Sequence, residues 1–203
     1  MPFTDPMRPA ERHLARSSSL FRDLADSQVE AILERAELRV YEPRDVLCRQ
    51  GDEVPGLCLV VGGRVKLSQL GADGGEVIIR FVGPGEIFAA VAALERAMRL
   101  PVTAVALSRV RVAFWPRPVI REIFRRHQGL ASSLLEQVAD RAREFQSRLR
   151  EVATERVPQR LAHMLLRLVR QAGRPVEGGT LIDFPLTRQD LAEMIGTTLY
   201  TVS

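Results

Sequence analysis

The sequence predicts an α+β protein: a β-rich sandwich or barrel, then a long amphipathic helix, then a helix-turn-helix. Three observations carry this. Between about residues 38 and 115, short apolar runs alternate with Gly- and Pro-bearing turns, the texture of a sandwich or barrel. Residues 130–154 repeat apolar side chains at alternating steps of four and three, the period of a helix with a narrow seam. The closing stretch, TRQDLAEMIGTTLYTVS, pairs a cappable helix with a glycine turn and a second cappable start.

Composition narrows the class. The longest unbroken apolar run is IFAAVAAL, residues 87–94, far short of the ~20 residues that span a bilayer. The first 19 residues lack an apolar run able to act as a signal core, and their Pro, Ser and Arg content predicts a loose tail and a cytoplasmic protein. Cys48 and Cys58 sit in apolar strand-like runs. They are too few for a disulfide framework or a cysteine-ligated iron–sulfur cluster, and read as buried small side chains. Charge is unevenly spread. Residues 1–116 hold 15 Lys and Arg against 15 acids, residues 117–174 hold 13 Arg against six acids, and residues 175–203 hold one Arg against four. The positive excess lies on the predicted long helices, where it suits phosphate or a solvated face equally.

Along the chain, residues 20–37 read as a short helix, with Asp26 or Ser27 as cap and Val29, Ile32 and Leu33 at helical spacing. The runs LRVY, VLCR, LCLVV, RVKLSQL, VIIRFV, VTAVAL and VRVAFW read as strands, separated by turns such as QGDEVPG, GG, GADGG and GPGE. FAAVAALERAM, residues 88–98, is Ala-rich and reads as a helix inside the β region. In the long helix, Ala131, Leu135, Val138, Ala142, Phe145, Leu149 and Val152 form a strict seam. So narrow a stripe suits a partner helix, most simply that of a second subunit; packing on the chain's own β domain is the alternative. VPQRLAHMLLRLVRQA is a further helix, with Pro158 in its first turn and Gly173 after its end. GRPVEGG reads as a loop, and TLIDFPL as a short strand.

In the closing motif, Thr187 caps a helix with Asp190 three residues on, Leu191 and Ile195 share a face, and Gly196 is placed for a left-handed turn. Thr197 or Thr198 caps the next helix. The second helix of such a motif enters the major groove of DNA. The candidate DNA-contacting residues are Thr187, Arg188, Thr197, Thr198, Leu199, Tyr200 and Ser203. A recognition helix needs about two more turns, and a wing normally follows, so the chain is expected to continue or to be truncated.

The order of short helix, β unit, long helix and helix-turn-helix resembles the Crp/Fnr superfamily of bacterial transcription regulators. Its carriers are RQGDEVPGLCLVVGGRVKL, with Gly51 and the Gly62–Gly63 turn, then GPGEIF, the heptad helix, and LTRQDLAEMIGTTLYTVS. The resemblance implies a β-roll (double-stranded jelly roll), a homodimer on a palindromic operator, and a winged helix truncated here. It divides the chain into a flexible tail (1–19), a β-roll sensor (20–126), a dimerisation helix (127–154) and an incomplete DNA-binding domain (155–203). RNA polymerase is carried as a further candidate partner. The resemblance also implies an effector pocket between β-roll and long helix, with Gly85, Glu86, Ile87, Phe88, Ala89, Ala90, Arg99, Leu100 and Val102 as candidates.

Cyclic-nucleotide members carry a Gly-Glu pair for the ribose and an Arg-Ser pair for the cyclic phosphate. Laid without gaps, this sequence has Ala89-Ala90 and Leu100-Pro101 there, with Arg99 one residue off. Pro101 also lacks an N–H to donate. The departure argues against cyclic AMP or cyclic GMP and for an apolar or aromatic effector, a haem, or none. Haem wants axial ligands, and His13, His127 and His163 all lie outside the β-roll strands. An enzyme reading lacks both a metal-ligand set and a nucleophile–base set, so no catalytic or metal residue is assigned. The competing reading is a dimeric ligand-binding module without DNA binding in this form.

Overall fold

The computed structural model describes residues 7–72, 74–93 and 98–202. Helices α1 (Pro9–Arg16) and α2 (Asp26–Leu33) precede strands β1 (Glu37–Tyr41), β2 (Val46–Cys48), β3 (Gly56–Gly62), β4 (Val65–Leu70), β5 (Glu76–Val82), β6 (Ile87–Phe88), β7 (Thr103–Ala106) and β8 (Val110–Pro116). Then follow α3 (Arg117–Arg126), α4 (Gln128–Thr154), α5 (Val157–Ala172), a hairpin of β9 (Gly173–Val176) and β10 (Gly179–Ile182), α6 (Arg188–Ile195) and α7 (Leu199–Val202). Two antiparallel four-stranded sheets, in the orders β1-β8-β3-β6 and β2-β7-β4-β5, face each other.

Strand β3 is apolar throughout, and β8 is apolar but for Arg111, because both of their faces are covered. Cys58 and Val60 on β3, with Val110, Val112 and Phe114 on β8, fill the space between the sheets. Leu57, Leu59 and Val61, with Ala113 and Trp115, pack outward under the helices. The Trp115 indole donates to the Ile32 carbonyl at 2.8 Å, tying α2 to that outer layer. Gly63 has φ +77°, and a Cβ there would lie 2.2 Å from the Arg109 carbonyl oxygen, so the β3–β4 turn demands glycine.

Several expectations change. The tail is not loose over its whole length: Pro9–Arg16 is helical. Glu11 forms a buried ion pair with Arg111 of β8, 2.7 Å from its Nε, and Ala15 is fully buried. Residues 20–37 are not one helix. A 3-10 turn covers Ser19–Phe21, α2 starts at Asp26, and the Gln28 side chain accepts from the Ala25 N–H at 3.0 Å. Neither Asp26 nor Ser27 is the cap. Of residues 88–98, Ala90–Ala93 form a 3-10 turn and Ile87–Phe88 a strand, while 94–97 lie outside the described residues. GRPVEGG is not a plain loop, since its first four residues pair with β10.

Candidate effector cavity and nucleic-acid interface

The turn before β6 is built by Gly85 and Glu86. Gly85 takes φ +86°, and its carbonyl accepts from the Ser18 hydroxyl at 2.8 Å. The Glu86 carboxylate accepts from the Gly83 N–H at 2.7 Å and meets Arg80 at 3.5 Å. Glu86 therefore shapes the turn. Ile87 is buried, its carbonyl accepting from Arg80 at 3.0 Å and from Arg141 at 3.1 Å. The chain then passes through Ala89 with φ +57°, a left-handed conformation unusual for a residue with a Cβ.

Beyond Ala89 a cavity of about 210 Å³ opens between the sheet and α4. Of the expected pocket residues, Phe88, Ala89, Ala90, Leu100 and Val102 line it. Gly85, Glu86, Ile87 and Arg99 do not. Arg99 is exposed and donates to the Gly51 carbonyl at 2.6 Å, bridging the turn before β3. The rest of the lining comes from Cys48, Leu67, Val91, Pro101, Val138 and Arg141. Arg141 lies outside the motifs and the seam that the sequence singles out. The available signal was its place three residues after Val138, where a long side chain on α4 reaches back to the β-roll. A second concavity of about 380 Å³ continues along α4 and shares Val138 and Arg141.

Burial, and then the nearby Arg80 charge, pull the Arg141 guanidinium down to about 10; Glu86 and Glu144 oppose that shift. Burial pushes the Cys48 thiol up to about 11 and raises Cys58 as well. None of the three histidines lines the cavity. His163 Nδ1 lies 3.0 Å from Glu155, His127 stands between α3 and α4, and His13 is on α1. Among the described lining residues a haem iron would meet only Cys48, held in its thiol form, so the lining fits that group poorly.

Helix α4 has two working faces. Leu130, Ser133 and Leu134 pack on the N-terminal helices, and Arg141 and Arg148 donate to the Ile87 and Ile79 carbonyls. The other face carries Ala131, Leu135, Val138, Ala142, Phe145, Leu149 and Val152, all exposed in the protomer. At its C-terminal half, Arg167 of α5 bonds both oxygens of the buried Glu151 at 2.7 and 2.8 Å, which joins α4 to α5.

At the closing motif, the Thr187 N–H donates to Asp190 at 2.8 Å, and Asp190 N–H donates to the Thr187 hydroxyl at 3.0 Å. Arg188 opens α6. Ala192 and Ile195 are buried beneath it, and Gly196 turns with φ +65°. Thr197 and Thr198 form the turn, and Leu199 and Tyr200 begin α7, with Tyr200 almost fully exposed. Ser203 lies outside the described residues. The motif docks on the β-roll: Ile78 and Phe81 of β5 share one apolar cluster with Met164, Leu168 and Ile195. Phe184 stacks edge-on against Phe81 at 4.9 Å under the Arg64 guanidinium.

The chain matches the cyclic nucleotide-binding domain family over residues 38–127 and the Crp-like helix-turn-helix domain family over residues 159–203. It is 30% identical over 188 residues to the cyclic AMP receptor protein of Thermus thermophilus, covering 93% of this chain and 83% of that one. This chain belongs to the Crp/Fnr superfamily of transcription regulators. Within the superfamily it is also 28% identical to the global nitrogen regulator of Synechococcus elongatus, over 94% of this chain and 85% of the relative. The crystal structure of the Thermus thermophilus catabolite activator protein superposes with a TM-score of 0.61 at 30% identity, covering 91% of this chain and 83% of that one. The c-di-GMP-responsive regulator CLP of Xanthomonas campestris gives 0.75 at 19% identity, with 88% of each chain covered, a likeness of fold. No described helix is long and apolar enough to cross a membrane.

Proposed function

We propose that this superfamily member works as a homodimer on palindromic DNA, with the β-roll cavity as its effector site. The observation that carries the reading is the double use of α4. Its Val138 and Arg141 line the cavity, its neighbouring face is an uncovered heptad seam, and its far half is bonded to α5. A ligand in the cavity thus touches the helix that would join two subunits and carry their DNA-reading units. The sequence at the cassette positions favours an effector other than a cyclic nucleotide. Ala89-Ala90 offer no carboxylate to a ribose, and Leu100-Pro101 offer neither a guanidinium nor an N–H from Pro101 to a phosphate.

In this reading Thr198, Leu199 and Tyr200 face the major groove. Thr hydroxyls suit several base edges, and Leu suits a thymine methyl. The test is selection of genomic fragments by the purified protein at low salt, followed by sequencing. The expected outcome is an inverted repeat with half-sites about one helical turn apart. Failure to enrich any fragment would leave a ligand-binding dimer without DNA function in this form.

A further inference from the structure

Among the described residues, Arg141 is the one charged side chain lining the 210 Å³ cavity. A guanidinium carries five N–H donors in a rigid fork. Arg141 makes one hydrogen bond, to the Ile87 carbonyl at 3.1 Å, and no ion pair among the described residues. The nearby acids are engaged elsewhere. Glu144 accepts from Arg148 at 2.6 Å, and Glu86 is folded back on Gly83 and Arg80. Arg80 shares the Ile87 carbonyl with Arg141, which adds a second positive charge. The proposed dimer does not restore balance either. With Val138 and Ala142 on the seam, Arg141 takes a g position, whose counterpart in a parallel pair lies five residues on. That residue is Gln146 of the partner subunit, which carries no charge.

A half-buried cation that makes no ion pair among the described residues, at the wall of an apolar cavity, is a costly arrangement for an empty protein. We infer that the cavity takes a small carboxylic acid with a compact apolar body. Phe88, Ala89, Ala90 and Val102 hold the body, and the Arg141 fork holds the carboxylate. The inference rests on reading this cavity as the effector site. Size agrees: an apolar cavity of about 150 Å³ holds a benzene ring, so about 210 Å³ is the scale of a branched-chain or phenyl-substituted acid. A polyhydroxylated or phosphorylated ligand would press polar groups on an apolar wall without partners. Ligation would also bind α4 more firmly to the β-roll, since Arg141 would then join the ligand to the Ile87 carbonyl.

The experiment is isothermal titration of the 203-residue protein, freed of small molecules, with isovalerate and phenylacetate at neutral pH. Isovaleramide and phenylacetamide serve as uncharged isosteres. At least one acid should bind, with its amide about tenfold or more weaker. Arg141→Gln should weaken the acid about 10- to 100-fold, the range for a hydrogen bond to a charged group. Arg141→Lys keeps the charge and should lose less. Ala90→Trp, which fills the cavity and leaves Arg141 in place, should abolish binding. Amides binding as well as acids, with both lost in Ala90→Trp, would overturn the inference while leaving the cavity as the effector site. No binding of acid or amide at millimolar concentration would overturn the inference together with the cavity reading. DNA selection reports on the regulator reading independently of either outcome.

Discussion

Replacing Phe145 with Asp tests the subunit seam quantitatively. In the protomer Phe145 is 62% exposed, between Leu149 at 63% and, about three turns back, Leu135 at 69%. Fully burying such a side chain is worth about 1.5–3 kcal/mol, so covering the exposed share of Phe145 yields about 1–2 kcal/mol per subunit. Two-fold symmetry doubles this to about 2–4 kcal/mol. The substitution also sets two carboxylates across the seam. At about 6 Å and an effective dielectric of 20 they repel by about 3 kcal/mol. Together these weaken the dimer by about 5–7 kcal/mol, or roughly 10⁴- to 10⁵-fold in Kd. The protomer itself should be nearly indifferent, within about 0.5 kcal/mol, because the site is exposed there. Sedimentation equilibrium at micromolar concentration should find Phe145→Asp monomeric and Phe145→Leu dimeric, with matching circular dichroism. A Phe145→Asp protein that still sediments as a dimer would refute the seam and assign the exposed face of α4 to another partner.

Further outcomes are expected inside the protomer. Trp115→Phe removes the indole bond to the Ile32 carbonyl, which keeps the Arg35 N–H at 3.2 Å, and should cost about 0.5–1.5 kcal/mol in urea unfolding; an unchanged midpoint would mean the indole bond is dispensable. Ala89→Gly relieves the φ of +57° and should raise the midpoint by several tenths of a kcal/mol, the relief partly offset by the freer unfolded chain; a lower midpoint would count against strain at that turn. Burial favours the neutral thiol of Cys48, whose pKa is about 11, so native alkylation near pH 8 should be slower than for a free thiol. It should accelerate only as pH approaches that value, and rapid labelling at neutral pH would contradict the burial.

What could be read from the residues alone follows how local the physics is. Thr187, Asp190 and Gly196 act within one or two turns of chain, so capping and turn rules place α6 before any coordinates. The α4 period is likewise written into consecutive residues. Glu11 is different: its partner Arg111 is 100 residues away, and nothing in a polar, arginine-rich N-terminus announces a buried ion pair. Residues 88–93 misled through composition. Alanines favour helix, yet Ile87 and Phe88 pair with Leu59 and Cys58 of β3, and that tertiary pairing overrides propensity. In the cavity the GPGEIF motif led to Phe88, Ala89 and Ala90, whereas Cys48 and Arg141 come from elements remote in sequence. Arg99, attractive by proximity in sequence, is spent on the Gly51 carbonyl.

The cluster joining Ile78 and Phe81 to Met164, Leu168 and Ile195 gives the molecule a mechanical character. Among the described residues, part of the reading head's packing is supplied by a strand of the sensor. Swinging it away uncovers at least Ile78 and Phe81, both buried now, at about 1.5–3 kcal/mol each. Close-packed side chains either mesh or part, so the joint resists gradual sliding. Anything that parts the joint must offset about 3–6 kcal/mol, less whatever the parted arrangement buries instead. A weak or indiscriminate ligand would occupy the cavity and leave the reading head where it stands.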